Sequence, residues 1–302
     1  MRLWPFIAFM VFGLVVTAQG QPTPARTGRQ AQLPTAKKTK PKILQPHYLT
    51  APLSLTETNV GRDFSGHDIT AIVAAIEKAK LKDKTEFEST PAFQERRAQF
   101  LTHPLYASVM PLDYLGFVVD GESLPSQFAP AFKYDADSQA LGITVTGRES
   151  LFILEKDQPT LDSVLVRRIL RTQDNYVGGN AFGAKVEVEH TYSEEYGIAF
   201  QQNNWLFKSS KALMYRQFKH SFALSPEEAI TLKPDAKLVL VCRLSEPLSR
   251  HSAHGHDPTI SEPFETITGE NYLQAEPEEL WVFNQKTGEV LLKITKSSTV
   301  RQ

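Results

Sequence analysis

Three histidines and an aspartate, His251, His254, His256 and Asp257, fall within seven residues of one another. Imidazole and carboxylate are suitable donors for Zn, Cu or Ni. The spacing is not H-E-x-x-H, and the segment lies between Pro247 and Pro258 in what reads as a polar loop. A solvated loop is the competing reading, and a metal held there would be held loosely. A second group sits on the β-patterned run Ala184–Thr191. His190 falls on its apolar side with Val186 and Val188, while Glu187 and Glu189 alternate to the other side. Acid–base chemistry at these three residues is one reading; a hydrogen-bonded histidine at the core edge and solvated carboxylates is the other. A glycosidase pair needs two carboxylates flanking a cleft at a set separation, and spacing along one strand does not establish that. The sequence therefore assigns no catalytic set, no metal and no cofactor.

Gly178, Gly179, Asn180 and Gly183 form a glycine-rich turn between two long β-patterned runs, Val164–Leu170 and Ala184–Thr191. The turn has neither G-x-G-x-x-G spacing nor the Lys-Ser/Thr ending of a phosphate loop. Its glycines are expected to permit positive φ at a corner of the sheet, with Asn180 satisfying backbone groups. Cys242, the lone cysteine, lies in the apolar run Lys237–Leu244 and reads as a small buried hydrophobe. Lys286-Thr287-Gly288 reads K-T-G but has no Ser-x-x-Lys partner in a fitting context, so it reads as hairpin-turn chemistry.

The elements that must position these residues begin after a distinct leader. Residues 1–20 carry Arg2, an apolar run from Leu3 to Val16 and then small residues, the layout of a signal peptide. Cleavage is expected near Ala18 or Gly20, giving a periplasmic or secreted protein; the alternative is an uncleaved anchor, against which stand the short apolar run and Pro5 within it. Residues 21–46 are a basic Pro/Gln/Lys linker with no apolar period, expected to be disordered. Residues 1–42 hold seven Lys/Arg and no Asp or Glu. The chain's 33 Lys/Arg less those seven leaves 26 against 34 Asp/Glu in the body. An acidic body does not attract nucleic acid, and membrane contact is expected only through the signal segment or the basic linker.

Residues 47–302 read as a single globular domain, with helices within 68–101 and a sheet within 112–295. An entering strand is expected over His47–Thr56. Asp68 caps a helix whose Ile69, Ile72, Val73 and Ile76 make one apolar stripe. Ser89-Thr90-Pro91 opens a second helix, with Phe93, Phe100 and Leu101 on one side. Strands are expected over 114–120, 128–134, 140–145, 151–154, 164–170, 184–191, 196–201, 214–224, 237–245, 280–283 and 290–294. A short helix opens on the capping box Ser225-Pro-Glu-Glu228. The predicted class is α+β, mostly antiparallel β, with two N-terminal helices and one short later helix.

The segment Asp83–Arg97, DKTEFESTPAFQERR, resembles a motif of uncharacterised exported bacterial proteins. The resemblance spans about fifteen residues and implies export without an assigned activity. Leader, linker and a body without a recognisable catalytic set point to an exported envelope protein. It would bind a protein or an envelope polymer through a sheet face or edge. An envelope hydrolase with dispersed loop residues, or a metal-binding protein using residues 251–257, are the alternatives.

Overall fold

The computed structural model describes residues 46–79, 84–150, 161–179, 182–201, 204–207 and 215–297. The expected signal segment and cleavage sites, the expected linker up to residue 45, the strand expected over 151–154, Asn180 and Met214 lie outside the described residues. The chain divides after Leu44, and Gln45–Gln302 form one compact unit.

Helices α1 (Ile69–Ala79) and α2 (Thr90–Leu101) precede the sheet. Its strands are β1 (Leu115–Val118), β2 (Ala131–Asp135), β3 (Ala140–Ser150), β4 (Leu161–Gly179), β5 (Lys185–Gln201), β6 (Tyr215–Ala223), β7 (Ala236–His256), β8 (Phe264–Asn284) and β9 (Val290–Thr295). A short helix, α3 (Pro226–Leu232), follows β6. The fold is α+β. The nine strands make one sheet in the order β1-β7-β8-β5-β4-β3-β2, with β6 beside β3 and β9 beside β8. Every ladder is antiparallel except β5–β8.

Local chemistry sets the helix starts. Asp68 Oδ1 accepts from the Thr70 and Ala71 amides, and Ser89 Oγ accepts from Ala92 N. Ser225 and Glu228 form a reciprocal capping box. The stripe of α1 is buried, as its period dictates. Helix α2 buries none of its residues, so the expected side of Phe93, Phe100 and Leu101 is not a core face.

The middle of the sheet is apolar on both faces. Leu238, Leu240, Cys242, Leu280 and Val282 belong to the main core with α1, whereas Val239, Val241, Trp281 and Phe283 pack under Leu53 and Phe64 on the opposite face. That double burial is why Leu238–Cys242 is a continuous hydrophobic run and not an alternating one.

The strands differ from expectation in length. His47 makes only an isolated bridge to Phe64, so no strand runs over residues 47–56. The runs 184–191 and 196–201 are one strand, β5, continuing through Ser193-Glu-Glu195. Strand β7 runs on to His256, and β8 begins at Phe264, well before Leu280. The outer ends, residues 251–256 of β7 and 264–267 of β8, are mostly exposed, whereas Ser193, Glu195 and residues 272–275 are buried. Exposure rises along β4 from its buried start to its open end. Without a core to face, an alternating apolar pattern has no reason to form.

The sheet also curls. In ladder order β3 is three strands from β8, roughly 14 Å if flat. Yet the Arg148 guanidinium of β3 contacts Glu270 and Tyr272 of β8. The β2–β3–β6 end therefore folds back over the β5–β8 face. Gly197 makes room for this packing: a Cβ there would lie 2.5 Å from the Tyr272 ring and 2.8 Å from the Val164 carbonyl.

Candidate functional site

Past the core, the outer parts of β4, β5, β7 and β8 continue as a four-stranded arm in the order β7-β8-β5-β4. From Arg168 to Gly179, β4 extends roughly 40 Å at about 3.3 Å per residue. The Gly183 turn joins β4 and β5 at the tip; Gly183 has φ +84°, a backbone region that favours glycine. Gly178 and Gly179 are strand residues of β4, paired with Val186 and Lys185.

The three residues with an acid–base reading lie on this arm and do not converge. Glu187 and Glu189 share one face, where they accept from Asn175 Nδ2 at 2.9 Å and Gln173 Nε2 at 3.2 Å. His190 lies on the other face with Nδ1 2.9 Å from Asp174 Oδ1. Both glutamates are exposed and His190 is half-buried; Val188 beside it is buried. A period of two sends the histidine and the glutamates to opposite sides of the sheet, so these three residues cannot act on one substrate atom.

The histidine segment is not a loop. Residues 251–256 are the end of β7, paired with β8 from Asn271 to Thr266. Alternation splits the candidate ligands. His251 faces α1, with Nε2 2.5 Å from Glu77 Oε1 and Nδ1 2.9 Å from Asn271 Oδ1. His254 and His256 point the other way. His254 Nδ1 is 3.5 Å from Glu270 Oε1; His256 Nε2 is 3.3 Å from Glu262 Oε2, and its ring stacks on Phe264 at 4.4 Å. Asp257 follows the strand end. Among the described residues no three His, Cys, Asp or Glu side chains gather as a metal-ligand group. Apart from Gly269 and Ile267 the cross-strand partners in β8 are polar, and this concealed the pairing in the sequence.

What the arm does present is an open edge with apolar residues beside it. Among the described residues, strand β3 meets β4 only at Leu161–Ser163. Beyond the second register shift, Thr172–Gly179 pairs regularly with β5 on one side. Among the described residues no backbone hydrogen bond leaves its other side. Leu170 is 56% and Val177 70% exposed, with Tyr176, Phe264, Ile267 and the tip residue Phe182 also exposed. The arm is acidic: residues 170–179, 182–194 and 251–268 carry seven Asp/Glu against Arg171 and Lys185. Natural edge strands are usually shortened, covered or charged to prevent pairing, and this one is long and carries apolar side chains.

His67 is a functional-looking residue that sequence reasoning did not single out. It is buried, and one neutral tautomer satisfies it: Gly116 N–H donates to Nδ1 at 3.1 Å, and Nε2–H donates to the Ala51 carbonyl at 3.0 Å. Burial holds its pKa below the ordinary imidazole value, outweighing the opposite pull of its backbone partners. The unfolded chain is thus protonated first as pH falls. The contribution of His67 is full above about pH 6.5 and is lost as pH drops below that value toward its folded pKa. In urea unfolding between pH 7.5 and 5, the wild type is expected to lose stability more steeply than His67→Gln. Parallel slopes would show that His67 does not contribute.

Comparison with known proteins returns no match: no family model, curated protein or solved structure matches this chain.

Proposed function

We propose that this is an exported binding protein that captures an extended segment of a partner protein along the open edge of β4. The observation that carries this reading is the regular Thr172–Gly179 edge, to which no described strand pairs on its outer side, with exposed Leu170 before it and exposed Val177 on it. An added strand gains main-chain hydrogen bonds from such an edge, and side-chain contacts supply selectivity. The acidic arm favours a basic partner segment and disfavours acidic ones through long-range repulsion. Export rests on the leader-like residues 1–20 and the basic linker after them.

The test is capture of envelope proteins by the purified chain, followed by hydrogen exchange on the isolated complex. The partner is expected to slow exchange of the Thr172–Gly179 amides, and binding is expected to weaken with added salt. Leu170→Glu/Val177→Glu, which places like charge beside an acidic arm, is expected to reduce capture at least tenfold without shifting the unfolding midpoint. Recovery of no partner, or protection confined to other strands, would overturn the reading.

A further inference from the structure

A second site lies at the base of the arm, where the first register shift of β4 occurs. Leu165 pairs with Gly197, but Arg167 pairs with Tyr196. One extra residue, Val166, is therefore accommodated in β4. Strict alternation would send Arg167 to the face of Leu165; the bulge instead returns it to the face of Val164, the face that α1 covers. Bulges of this kind re-aim side chains beside binding sites. Backbone groups of β4 beside the bulge are taken up by the turn after β1. Asp120 N donates to the Val166 carbonyl at 2.8 Å, and Arg168 N donates to Ser123 Oγ at 3.1 Å. These bonds hold Asp120 beside Arg167 at a cleft of about 380 Å³.

The cleft has an unusual charge arrangement. Arg167 is half-buried, and its one side-chain partner among the described residues is the Tyr48 hydroxyl, 2.5 Å from Nη1. Among the described residues no carboxylate pairs with its remaining N–H donors. Burial keeps the Tyr48 phenol above its ordinary pKa, so this hydroxyl retains a proton to donate. Asp120, also half-buried and lining the cleft, forms no ion pair with Arg167. At the rim, Lys237 and Glu122 pair with each other at 3.2 Å and cancel. The floor is apolar, made by Ile69, Val119 and Val166.

We infer that this cleft binds a small zwitterion with an apolar side chain, a free amino acid or a short peptide. Its carboxylate would meet the Arg167 fork and the Tyr48 hydroxyl, its ammonium Asp120, and its side chain the aliphatic floor. A guanidinium fork matches carboxylate geometry, and the nearby aspartate disfavours a simple anion. The volume lies within the range of small-molecule sites. This inference does not depend on the β4 edge, which is some distance along the same strand.

The experiment is calorimetric titration of the full chain with leucine, Leu-Leu, N-acetyl-leucine, leucine amide and N-acetyl-leucine amide. Saturable binding of leucine or Leu-Leu is expected, and the tighter of the two identifies the source. Blocking either charge is expected to weaken binding at least tenfold. Arg167→Gln should erase the discrimination against leucine amide, and Asp120→Asn the discrimination against N-acetyl-leucine. The ligand series on the unaltered protein needs neither variant to fold. Absence of saturable binding by leucine and Leu-Leu, or equal binding of the doubly blocked compound, would overturn the proposal. Neither result bears on partner capture at the arm.

Discussion

Arg148→Met is expected to destabilise the fold by about 3–5 kcal/mol, the usual cost of stranding a buried charge. Arg148 stands between two glutamates. Its Nη2 lies 3.0 Å from Glu195 Oε2 and contacts Glu270 and the Tyr272 hydroxyl. Its guanidinium also lies over the Tyr272 and Phe128 rings, at 5.5 and 5.8 Å. The side chains of Arg148, Glu195 and Glu270 are 16%, 7% and 14% exposed, so solvent does little to screen the two carboxylates. Glu195 Oε2 is ion-paired to Arg148 without a hydrogen bond, so charge proximity is what balances it. Removing Arg148 leaves two like charges in the fold and unlocks an ionic clasp between β3 and β8. Urea unfolding measures the loss. Arg148→Met combined with Glu195→Gln and Glu270→Gln should recover most of it, since the penalty comes from uncompensated charge. A loss below about 1 kcal/mol in the single variant would mean that the cluster behaves like exposed ion pairs.

Trp281→Ala is the second large effect, at about 3–5 kcal/mol for truncating a buried aromatic. Trp281 is fully buried in the smaller core with Leu53, Phe64, Val239, Val241 and Phe283. Its Nε1 donates to Glu279 at 2.6 Å, and Lys293 Nζ sits 4.2 Å from the ring centre. The same ammonium donates to the Leu55 carbonyl at 2.6 Å. The indole therefore supports both the packing and the polar tie that hold residues 53–64 against the sheet. Limited proteolysis of Trp281→Ala is expected to cut first between Leu53 and Phe64, at a urea concentration where the wild type resists. Trp281→Phe keeps most of the apolar area and should lose less than half as much. Equal losses for the two variants would place the contribution in the Glu279 and Lys293 contacts and not in burial.

The two effects differ in how far the sequence foretold them. Trp281 sits in a strongly β-patterned run, and its packing role follows from composition. Arg148, Glu195 and Glu270 are separated by up to 122 positions. Each alone reads as a solvated charge on a strand. The same limit applies to Arg167. Its neighbour Arg168 is chemically identical, and only the bulge decides that Arg167 turns to the cleft while Arg168 donates to Ser193 at 3.1 Å. His251, His254 and His256 are the converse case: proximity along the chain suggested a shared site, and the strand's alternation separated them.

Sequence alone determined what local physics governs. The α1 stripe, the caps at Asp68, Ser89 and Ser225, the buried Leu238–Cys242 run and the α+β class all follow from side-chain period, hydrogen-bonding reach and turn chemistry within a few residues. Tertiary structure decided where polar strands continue, how the sheet curls and which distant charges meet. Register between strands is fixed by partners far away in the chain, and a one-residue shift exchanges the two faces. The open edge of β4 and the cleft at Arg167 both depend on such register, and neither could be derived from the spacing of the residues that form them.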